Sequence, residues 1–346
     1  MHTQRLQPRD TAEAAEILRR GGLLGIPTET VYGLGANGLN PDAVGRIFAA
    51  KGRPQDNPLI LHIPSADWLE RYCGDIPDTA YALAERFWPG PLTMVLRRKR
   101  VVPDVVTAGL DTVGMRCPAH PVCRAILAAA DVPVAAPSGN TSGRPSPTNM
   151  ADMLEDMDGK IDGIVDGGPC AVGVESTIVD LTVMPPRLLR PGGVTLEQLR
   201  DALGEVAVDP AVTRLMGAGE QPRAPGMKYC PTAGMMSRPY APKAPVTVVQ
   251  GAPAAAARYI QAHMAPGDGV ICFDEYAGLF AGHPLEQLGP STDVPEQARR
   301  VFEALRWFDG TGVSHIWAQC PAAAGIGLAV ANRLNKAAGF HIVRAE

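Results

Sequence analysis

The sequence predicts an α/β protein with two domains, and three observations lead to that prediction. The chain has 346 residues, more than one hydrophobic core usually serves. Short apolar segments that are typical of strands alternate with segments that are typical of helices. A stretch rich in proline, glycine and small residues over 206–245 is typical of a linker. We therefore predict a first domain over 1–205 and a small second domain over 246–346.

The first domain is predicted from short elements that follow one another closely. Asn40 and Pro41 are typical of the N-cap and first position of a helix, and Asp10 is placed to cap an earlier one. Thr195 and Gln198 are spaced for a capping box. The predicted helices cover residues 11–20, 41–50, 78–88, 121–131 and 195–204. The predicted strands lie within residues 23–26, 58–63, 92–99, 112–117, 132–143, 163–168, 175–182 and 187–193.

The second domain is predicted to be a small parallel α/β domain. Its strands lie within 246–251, 269–275 and 314–320, and its helices include 254–264 and 327–339. Alternation of strands and helices favours a parallel sheet. The segment GIGLAVANRL is similar to half of a dinucleotide fingerprint, but it has neither the full glycine pattern nor the acidic ribose partner.

Composition argues against several classes of protein. The net charge is −4, so nothing global indicates a nucleic-acid or membrane partner. The seven cysteines form no C-x-x-C pair, which argues against a zinc finger and a disulfide framework and favours reduced thiols. No apolar stretch has the length of a membrane span, and residues 1–20 have no signal-peptide core. We expect a cytoplasmic protein without a membrane segment.

A strand that ends in polar residues and glycines suggests a first binding loop. The apolar run over 23–26 breaks at Pro27 into Thr28-Glu29-Thr30, and glycines follow at 33 and 35. Glycines permit close backbone approach, and hydroxyls and amides hold anions or small polar ligands. A plain polar turn is the alternative.

A second cluster carries positive charge at the end of a predicted helix. Lys51, Arg53, Asn57 and His62 lie within twelve residues. Two cations separated by a glycine suit a phosphate or carboxylate clamp. The alternative is a solvated helix end, where cations interact favourably with the helix dipole.

Two later loops repeat the polar pattern after short apolar strands. Hydroxyls and amides interleaved with glycine can form an anion-binding nest, although a plain loop is the alternative for each. The third cluster contains Ser138, Asn140, Thr141, Ser142, Arg144 and Ser146. The fourth contains Ser176, Thr177 and Arg190.

Other features favour plain structural roles. The basic run over 97–100 could meet RNA, but a solvated turn is favoured. The histidines lack metal-ligand spacing, so no structural metal is expected. No G-x-x-x-x-G-K-[ST] segment occurs, so any use of ATP would not be of the Walker type.

Taken together, these clusters resemble the YrdC-like family, and specifically its two-domain L-threonylcarbamoyladenylate synthases. The resemblance rests on five motifs in order: PTETVYGLG (27–35), KGRP..NPL..H (51–62), PSGN.SG.PSPT (137–148), ESTIVD (175–180) and LLRPG (188–192). It covers residues 5–205 strongly. The segments PGMKY, YAPKAP and GLAVANRLNKAA resemble the linker and C-terminal domain of the same family.

The resemblance implies a fold and a reaction. The implied fold is a twisted open α/β domain with a concave basic cavity, followed by a small Rossmann-like domain. Family members condense L-threonine, bicarbonate and ATP to threonylcarbamoyl-adenylate and pyrophosphate. The product passes to the proteins that transfer the threonylcarbamoyl group to tRNA, and a weak contact with tRNA is implied as well.

The resemblance also assigns residues by analogy. Threonine binding falls to Thr30, His62, Arg116 and Ser176, with the backbone near Ala136. The catalytic set that faces the phosphates and the carbamate is Lys51, Arg53, Ser138 and Asn140. ATP contacts fall to Arg53, Asn57, Thr112, Ser138, Ser146, Arg190 and Tyr229. Arg116 suits the substrate carboxylate because its fork matches two oxygens. Magnesium is expected to accompany ATP, held mainly by ATP and water, so no protein side chain is assigned to it.

The linker departs from the family pattern. The family runs from GMKY almost directly into RHYAPK, whereas here residues 230–237 intervene and Pro239 stands where histidine is usual. The family linker folds over the cavity as a lid and offers a tyrosine to the nucleotide. Tyr229 is slightly preferred for that role because GMKY is intact, and Tyr240 is the alternative.

Two other functions are alternatives to the synthase. A carbamoyl-adenylate-forming enzyme of the hydrogenase-maturation type shares the YrdC-like domain, but those proteins carry zinc-finger cysteine pairs and further domains that this chain lacks. A non-catalytic RNA-binding module would use a basic cavity, and the net charge of −4 argues against it.

Overall fold

The computed structural model of the chain describes residues 2–213 and 240–346. Its helices are α1 Thr11–Arg19, α2 Pro41–Lys51, α3 Leu69–Tyr72, α4 Asp78–Phe87, α5 Asp104–Thr107, α6 Pro121–Ala130, α7 Met150–Met157, α8 Leu196–Leu203, α9 Pro210–Thr213, α10 Pro253–His263, α11 Val294–Trp307 and α12 Gly327–Ala337. None of these described helices is long and apolar enough to cross a membrane.

The strands are short and run through both domains. In chain order they are β1 Gln4–Leu6, β2 Leu24–Ile26, β3 Gly33–Asn37, β4 Ile60–His62, β5 Cys73–Gly74, β6 Leu92–Arg98, β7 Thr112–Arg116, β8 Val134–Ala135, β9 Gly163–Val165, β10 Thr177–Asp180, β11 Arg187–Arg190, β12 Ala207–Val208, β13 Val246–Gln250, β14 Gly269–Cys272, β15 Leu285–Gln287, β16 Ile316–Gln319 and β17 Ile342–Arg344. Every strand predicted from the sequence is present within its predicted range.

Capping residues fix several helix boundaries as the sequence predicts. The Asn40 side chain accepts hydrogen bonds from the backbone N–H groups of Asp42 and Ala43 at the start of α2. Thr195 and Gln198 form the predicted capping box of α8. Asp10 occupies the N-cap position of α1, but the predicted cap bond is not made. Its carboxylate instead accepts from the N–H of Gln7, which closes the preceding turn.

The first domain is built on a mixed sheet. The strand order is β1-β9-β2-β3-β8-β4-β7-β6-β10-β11-β12, with β5 attached to β6. The strands β4 and β7 are parallel, β7 and β6 antiparallel, and β6 and β10 parallel. Because cross-strand partners lie on the same face of a sheet, this register decides which side chains of the central strands meet.

The second domain contains a parallel sheet, as predicted. The strand order is β15-β14-β16-β13-β17, and each described pairing is parallel. Parallel sheets need both faces covered, and α10, α11 and α12 supply the apolar side chains that pack against this one.

The two domains share buried contacts. Val31 and Val174 of the first domain belong to the hydrophobic core of the second. Arg306 on α11 donates to the Asp156 carboxylate on α7 at 2.5 Å, and both side chains are buried. The domains are therefore packed together through apolar surface and buried charge.

Candidate active site

Three neighbouring central strands place polar side chains in one row. In the sheet register His62 on β4 is opposite Arg116 on β7, and Arg116 is opposite Thr93 on β6. Cross-strand partners point to the same face, so an imidazole, a guanidinium and a hydroxyl lie side by side. All three residues are buried.

Ser176 extends this row beyond Thr93. Its hydroxyl oxygen lies 2.8 Å from the hydroxyl oxygen of Thr93. The Arg190 guanidinium donates from Nε to the carbonyl of Ser176 at 2.9 Å and from Nη2 to its hydroxyl at 3.1 Å. The two strand ends that carry Ser176 and Arg190 are therefore linked to the row by hydrogen bonds.

Glu29 fixes the orientation of the Arg116 side chain. Nη2 of Arg116 donates to Oε1 of Glu29 at 2.7 Å, and the N–H of Ala119 donates to Oε2 at 2.9 Å. Burial acts to raise the pKa of Glu29, but the charge and hydrogen bond of Arg116 outweigh it and hold the pKa below its usual value. Glu29 is thus a carboxylate ion that aims the guanidinium.

His62 is neutral at physiological pH. Burial, and then the positive charge of Arg116, lower its pKa to about 3. Its Nδ1 atom is buried and has no hydrogen-bond partner in the structure. A neutral imidazole with an unpaired nitrogen in this row can bind a polar group of a ligand.

Thr30 is held by a network of hydroxyls within the first loop. Thr28 donates its only hydroxyl proton to the carbonyl of Val31 at 2.7 Å. Because the Oγ1 atoms of Thr28 and Thr30 are 2.8 Å apart, the proton in that contact comes from Thr30. The Thr30 oxygen consequently points lone pairs away from Thr28 and can accept a hydrogen bond.

Ala136 lies next to the row at the end of β8. Its N–H donates to the carbonyl of Ile60 at 3.0 Å, and Val134 and Ala135 of β8 pair with His62 and Leu61 of β4. Ala136 therefore directly follows the strand next to that of His62, and its contact with threonine stays a prediction.

A small cleft of about 20 Å³, with room for about one water molecule, lies beside the row on the same face of the sheet. Ile60, Gly114 and Val95 line it, and each lies two positions along its strand from His62, Arg116 and Thr93 respectively. The predicted ATP residue Thr112 also lines the cleft. The lining is mainly apolar with hydroxyls, so the expected basic character of a larger cavity stays a prediction.

Lys51 is buried at the end of α2 and not at a solvated helix end, so the alternative interpretation is wrong for this residue. Its ammonium group donates to the carbonyl oxygens of Ser138 and Asn140. The N–H of Ser142 donates back to the carbonyl of Lys51 at 2.8 Å. Burial, and then the charge of Arg53, lower the Lys51 pKa to about 7.

The loop held by Lys51 carries two more of the predicted residues. The Asn140 amide donates to the carbonyls of Thr141 and Arg144, while its Oδ1 atom is buried without a partner. The Ser146 hydroxyl is buried and donates to Oε1 of Glu175 at 2.6 Å. Two clusters that are far apart in the sequence, around 140 and 175, therefore meet.

Comparison with known proteins agrees with this geometry. The Sua5/YciO/YrdC family, whose description is telomere recombination, matches residues 16–192. The threonylcarbamoyl-AMP synthase C-terminal domain family matches residues 194–339. The threonylcarbamoyl-AMP synthase of Pyrococcus abyssi is 48% identical over 96% of this chain and 94% of its own length. The chain belongs to the Sua5/YciO/YrdC family.

Two further comparisons concern the whole chain. The threonylcarbamoyl-AMP synthase of Bacillus subtilis is 44% identical over 96% of this chain and 94% of its own. The crystal structure of Pyrococcus abyssi Sua5 complexed with L-threonine matches with a TM-score of 0.88 at 44% identity, covering all of both chains. The two-domain α/β architecture predicted from the sequence is that of Sua5 proteins.

The linker residue that the Sua5 resemblance favours for the nucleotide, Tyr229, lies outside the described residues, as does the insertion at 230–237. Tyr240 is described and packs its ring against Phe302 at 5.2 Å between centroids. Burial, and then the charge of Glu175, raise its pKa to about 12. Tyr240 is thus close to the carboxylate that binds Ser146.

Arg53 and Asn57 occupy the connection between α2 and β4, and both are half-buried. They follow Lys51 in the chain and precede His62, so the connection links the buried Lys51 to the row. Their contacts with a nucleotide stay a prediction for this Sua5 family member.

Four residues of the candidate site have no role predicted from the sequence: Glu29, Thr93, Glu175 and Arg333. Thr93 stands in an apolar strand and is detectable only through the register with Arg116. Arg333 lies on α12 among the polar residues Asn332, Asn335 and Lys336, and it is fully buried. A run of polar residues is typical of an exposed helix face, so the sequence carries no signal for the burial of Arg333.

The basic run at 97–100 behaves as the favoured alternative predicts. Arg97 pairs with Asp111 and Arg98 with Asp104, and Lys99 donates to the carbonyl of Glu70. Among residues 2–213 and 240–346, no group of three or more His, Cys, Asp or Glu side chains gathers that could hold a metal ion.

Proposed function

We propose that the chain synthesises threonylcarbamoyl-AMP from L-threonine, bicarbonate and ATP and releases pyrophosphate. It is a transferase-type enzyme of tRNA modification, in line with the names of its full-length relatives. The observation that carries the proposal is the row of His62, Arg116, Thr93 and Ser176, in which Glu29 orients the Arg116 guanidinium. This row has the groups that an amino acid with a side-chain hydroxyl requires.

The row binds threonine. The Arg116 guanidinium, aimed by Glu29, pairs with the substrate carboxylate through its fork of donors. The neutral His62 and the hydroxyl oxygen of Thr30 accept hydrogen bonds from the substrate. Ser176 and the backbone near Ala136 close the site on either side.

ATP binds across the loops that border the row. The residues assigned to it are Arg53, Asn57, Thr112, Ser138, Ser146, Arg190 and Tyr229. Magnesium enters with ATP as part of that substrate and is held mainly by ATP and water. Lys51 holds the loop of Ser138 and Asn140 in place for the phosphates.

The reaction needs no nucleophile from the protein. The threonine amine adds to carbon dioxide derived from bicarbonate, and the carbamate oxygen attacks the α-phosphorus of ATP. The bond from the α-phosphorus to the bridging oxygen breaks, and pyrophosphate leaves with its electron pair. Holding such reactants together contributes about 7–11 kcal/mol in favourable cases. Donors placed in advance at the phosphates stabilise the charge that develops.

The product is a mixed anhydride that a second protein consumes. We propose that it passes to the proteins that transfer the threonylcarbamoyl group to tRNA, with a weak contact between this chain and tRNA. A role in tRNA modification fits a cytoplasmic protein. The six free, buried thiols of the described residues fit it as well.

Pyrophosphate release from ATP tests the proposal. Release by the purified protein is expected only when L-threonine and bicarbonate are both present. Release without threonine contradicts the proposal. Turnover that requires carbamoyl phosphate would instead indicate the hydrogenase-maturation type of reaction, and salt-sensitive RNA binding without ATP chemistry would indicate an RNA-binding module.

A further inference from the structure

One arginine of the second domain reaches into the candidate active site. Arg333 on α12 is fully buried, and its Nε donates to Oε2 of Glu175 at 2.9 Å. Its Nη1 donates to the carbonyl of Pro191 at 2.6 Å, and Nη2 lies 3.4 Å from the carbonyl of Glu175. Arg333 therefore binds two separate segments of the first domain at once.

Both segments carry residues assigned to substrates. Glu175 directly precedes Ser176, and its second carboxylate oxygen accepts the Ser146 hydroxyl at 2.6 Å. Pro191 directly follows Arg190, whose guanidinium donates to Ser176. Arg333 thus contacts the residue that binds Ser146 and precedes Ser176, and also the residue that follows Arg190.

The two segments are in backbone contact where Arg333 spans them. A Cβ atom added at Gly192 would lie 2.3 Å from the nitrogen of Thr177 and 2.5 Å from the carbonyl oxygen of Glu175. Such an approach leaves no space for adjustment, so a shift of one segment moves the other.

Electrostatics makes the contact with Glu175 strong. Burial acts to raise the pKa of Glu175, but Arg333, then Arg190, then the hydrogen bond from Ser146 lower it to about 2. The carboxylate stays ionised while its side chain is only 8% exposed. Loss of one partner from a buried ion pair leaves an uncompensated charge, which moves the groups around it.

We propose that Arg333 is a positioning residue through which the second domain sets the active-site geometry of the first, by holding Glu175 and Pro191 and thereby Ser146, Ser176 and Arg190. Arg333 does not touch a reactant. The inference rests on the proposed function for the identity of the substrates, and on the hydrogen bonds of Arg333 for the positioning role.

A matched control separates positioning from a loss of stability in the second domain. The carboxylate of Asp268 accepts hydrogen bonds from Ser314 at 3.1 Å and Trp317 at 3.0 Å, both in the second domain. Arg333→Ala and Asp268→Ala therefore each remove a charged group from the second domain, but only Arg333 contacts segments that carry residues assigned to substrates. Arg333→Lys keeps the charge beside Glu175 and loses the fork that also binds Pro191.

The test measures thermal unfolding and initial rates of pyrophosphate release, with threonine and ATP varied separately. Arg333→Ala is expected to lower kcat/KM for both substrates about a hundredfold, the effect of a displacement near 1 Å. Asp268→Ala is expected to lower the melting temperature with kcat/KM unchanged. Arg333→Lys is expected to recover melting temperature more fully than kcat/KM.

Calorimetric titration of ATP and of L-threonine into the same variants keeps the test independent of turnover. Weaker binding to Arg333→Ala than to Asp268→Ala supports the proposal even if the wild-type protein releases no pyrophosphate, a result that would contradict the proposed function alone. Equal binding and equal kcat/KM in the two folded variants would overturn the positioning role of Arg333.

Discussion

At the scale of single residues, Glu29 decides where the Arg116 guanidinium points. The two side chains are 2.7 Å apart and nearly without exposure, so removing the charge of Glu29 leaves Arg116 unpaired and free to turn. In Glu29→Gln we expect the KM for threonine to rise at least about tenfold, the loss of one charge-assisted hydrogen bond. Initial rates over a threonine titration measure it.

The control for this prediction is Glu16→Gln. Glu16 pairs with Arg19 on the exposed face of α1, and exposed pairs contribute little. Its KM for threonine should equal that of the wild type. An unchanged KM in folded Glu29→Gln would show that Arg116 does not need its carboxylate partner to bind threonine.

Lys51 gives the protein a specific dependence of stability on pH. Burial and then Arg53 lower its pKa from 10.5 to about 7, so between these values the unfolded chain binds more protons than the folded one. The contribution of Lys51 to the free energy of unfolding therefore rises with pH from about 7 upwards, by up to about 1.4 kcal/mol per pH unit.

Denaturant unfolding of the wild type and of Lys51→Met at pH 7, 8 and 9 measures this contribution. The difference between the two proteins isolates Lys51, because every other titrating group is common to both. Lys99→Met, which removes an exposed lysine, should show the slope of the wild type. A slope in Lys51→Met that matches the wild type would contradict the lowered pKa.

Single residues were predicted best where a motif surrounds them. His62, Arg116 and Ser176 were assigned by resemblance, and the structure brings all three together with Thr93. Glu175 and Arg333 could not be predicted as partners, because 158 positions separate them and the chain order says nothing about which surfaces of two domains meet.

At the scale of elements, Gly192 allows two strand ends to touch. An added Cβ would lie 2.3 Å from the nitrogen of Thr177 and 2.5 Å from the carbonyl carbon of Ser176. We expect Gly192→Ala to destabilise the protein by about 1–3 kcal/mol, the usual cost of overpacking. We also expect weaker threonine binding, because Ser176 must move. Denaturant unfolding and threonine titration measure the two effects.

Gly45→Ala is the matched control for this substitution. Gly45 lies within α2, and nothing is within 4 Å of its added Cβ. Alanine should stabilise the helix there by about 0.5–1 kcal/mol and leave threonine binding unchanged. Equal behaviour of Gly192→Ala and Gly45→Ala would show that the contact at Gly192 can relax without consequence.

Elements were predictable where local chemistry defines them. Asn40, and Thr195 with Gln198, mark helix starts through their own hydrogen bonds. The strand Gly33–Asn37 was predicted as part of a loop, because its glycines allow neighbours such as Val134 to approach closely and mask a strand pattern. Helix α11 was not predicted, since its polar face gives a low average hydrophobicity.

At the scale of the whole molecule, the two domains share a hydrophobic core and buried ion pairs. Val31 and Val174 lie in the core of the second domain, and Arg306 and Arg333 carry charge across to Asp156 and Glu175. The two-domain division was predictable from length and composition. The strand order, in which β8 and β3 separate β2 from β4, was not, because it depends on contacts between distant segments.

The central claim is that one site joins threonine, bicarbonate and ATP. Mass spectrometry of the reaction with ¹³C-labelled bicarbonate tests it most directly. We predict a single adenylate that contains threonine, AMP and the labelled carbon, formed only when all three reactants are present. An adenylate of threonine without the labelled carbon, or no adenylate from the folded wild-type protein, would contradict the account.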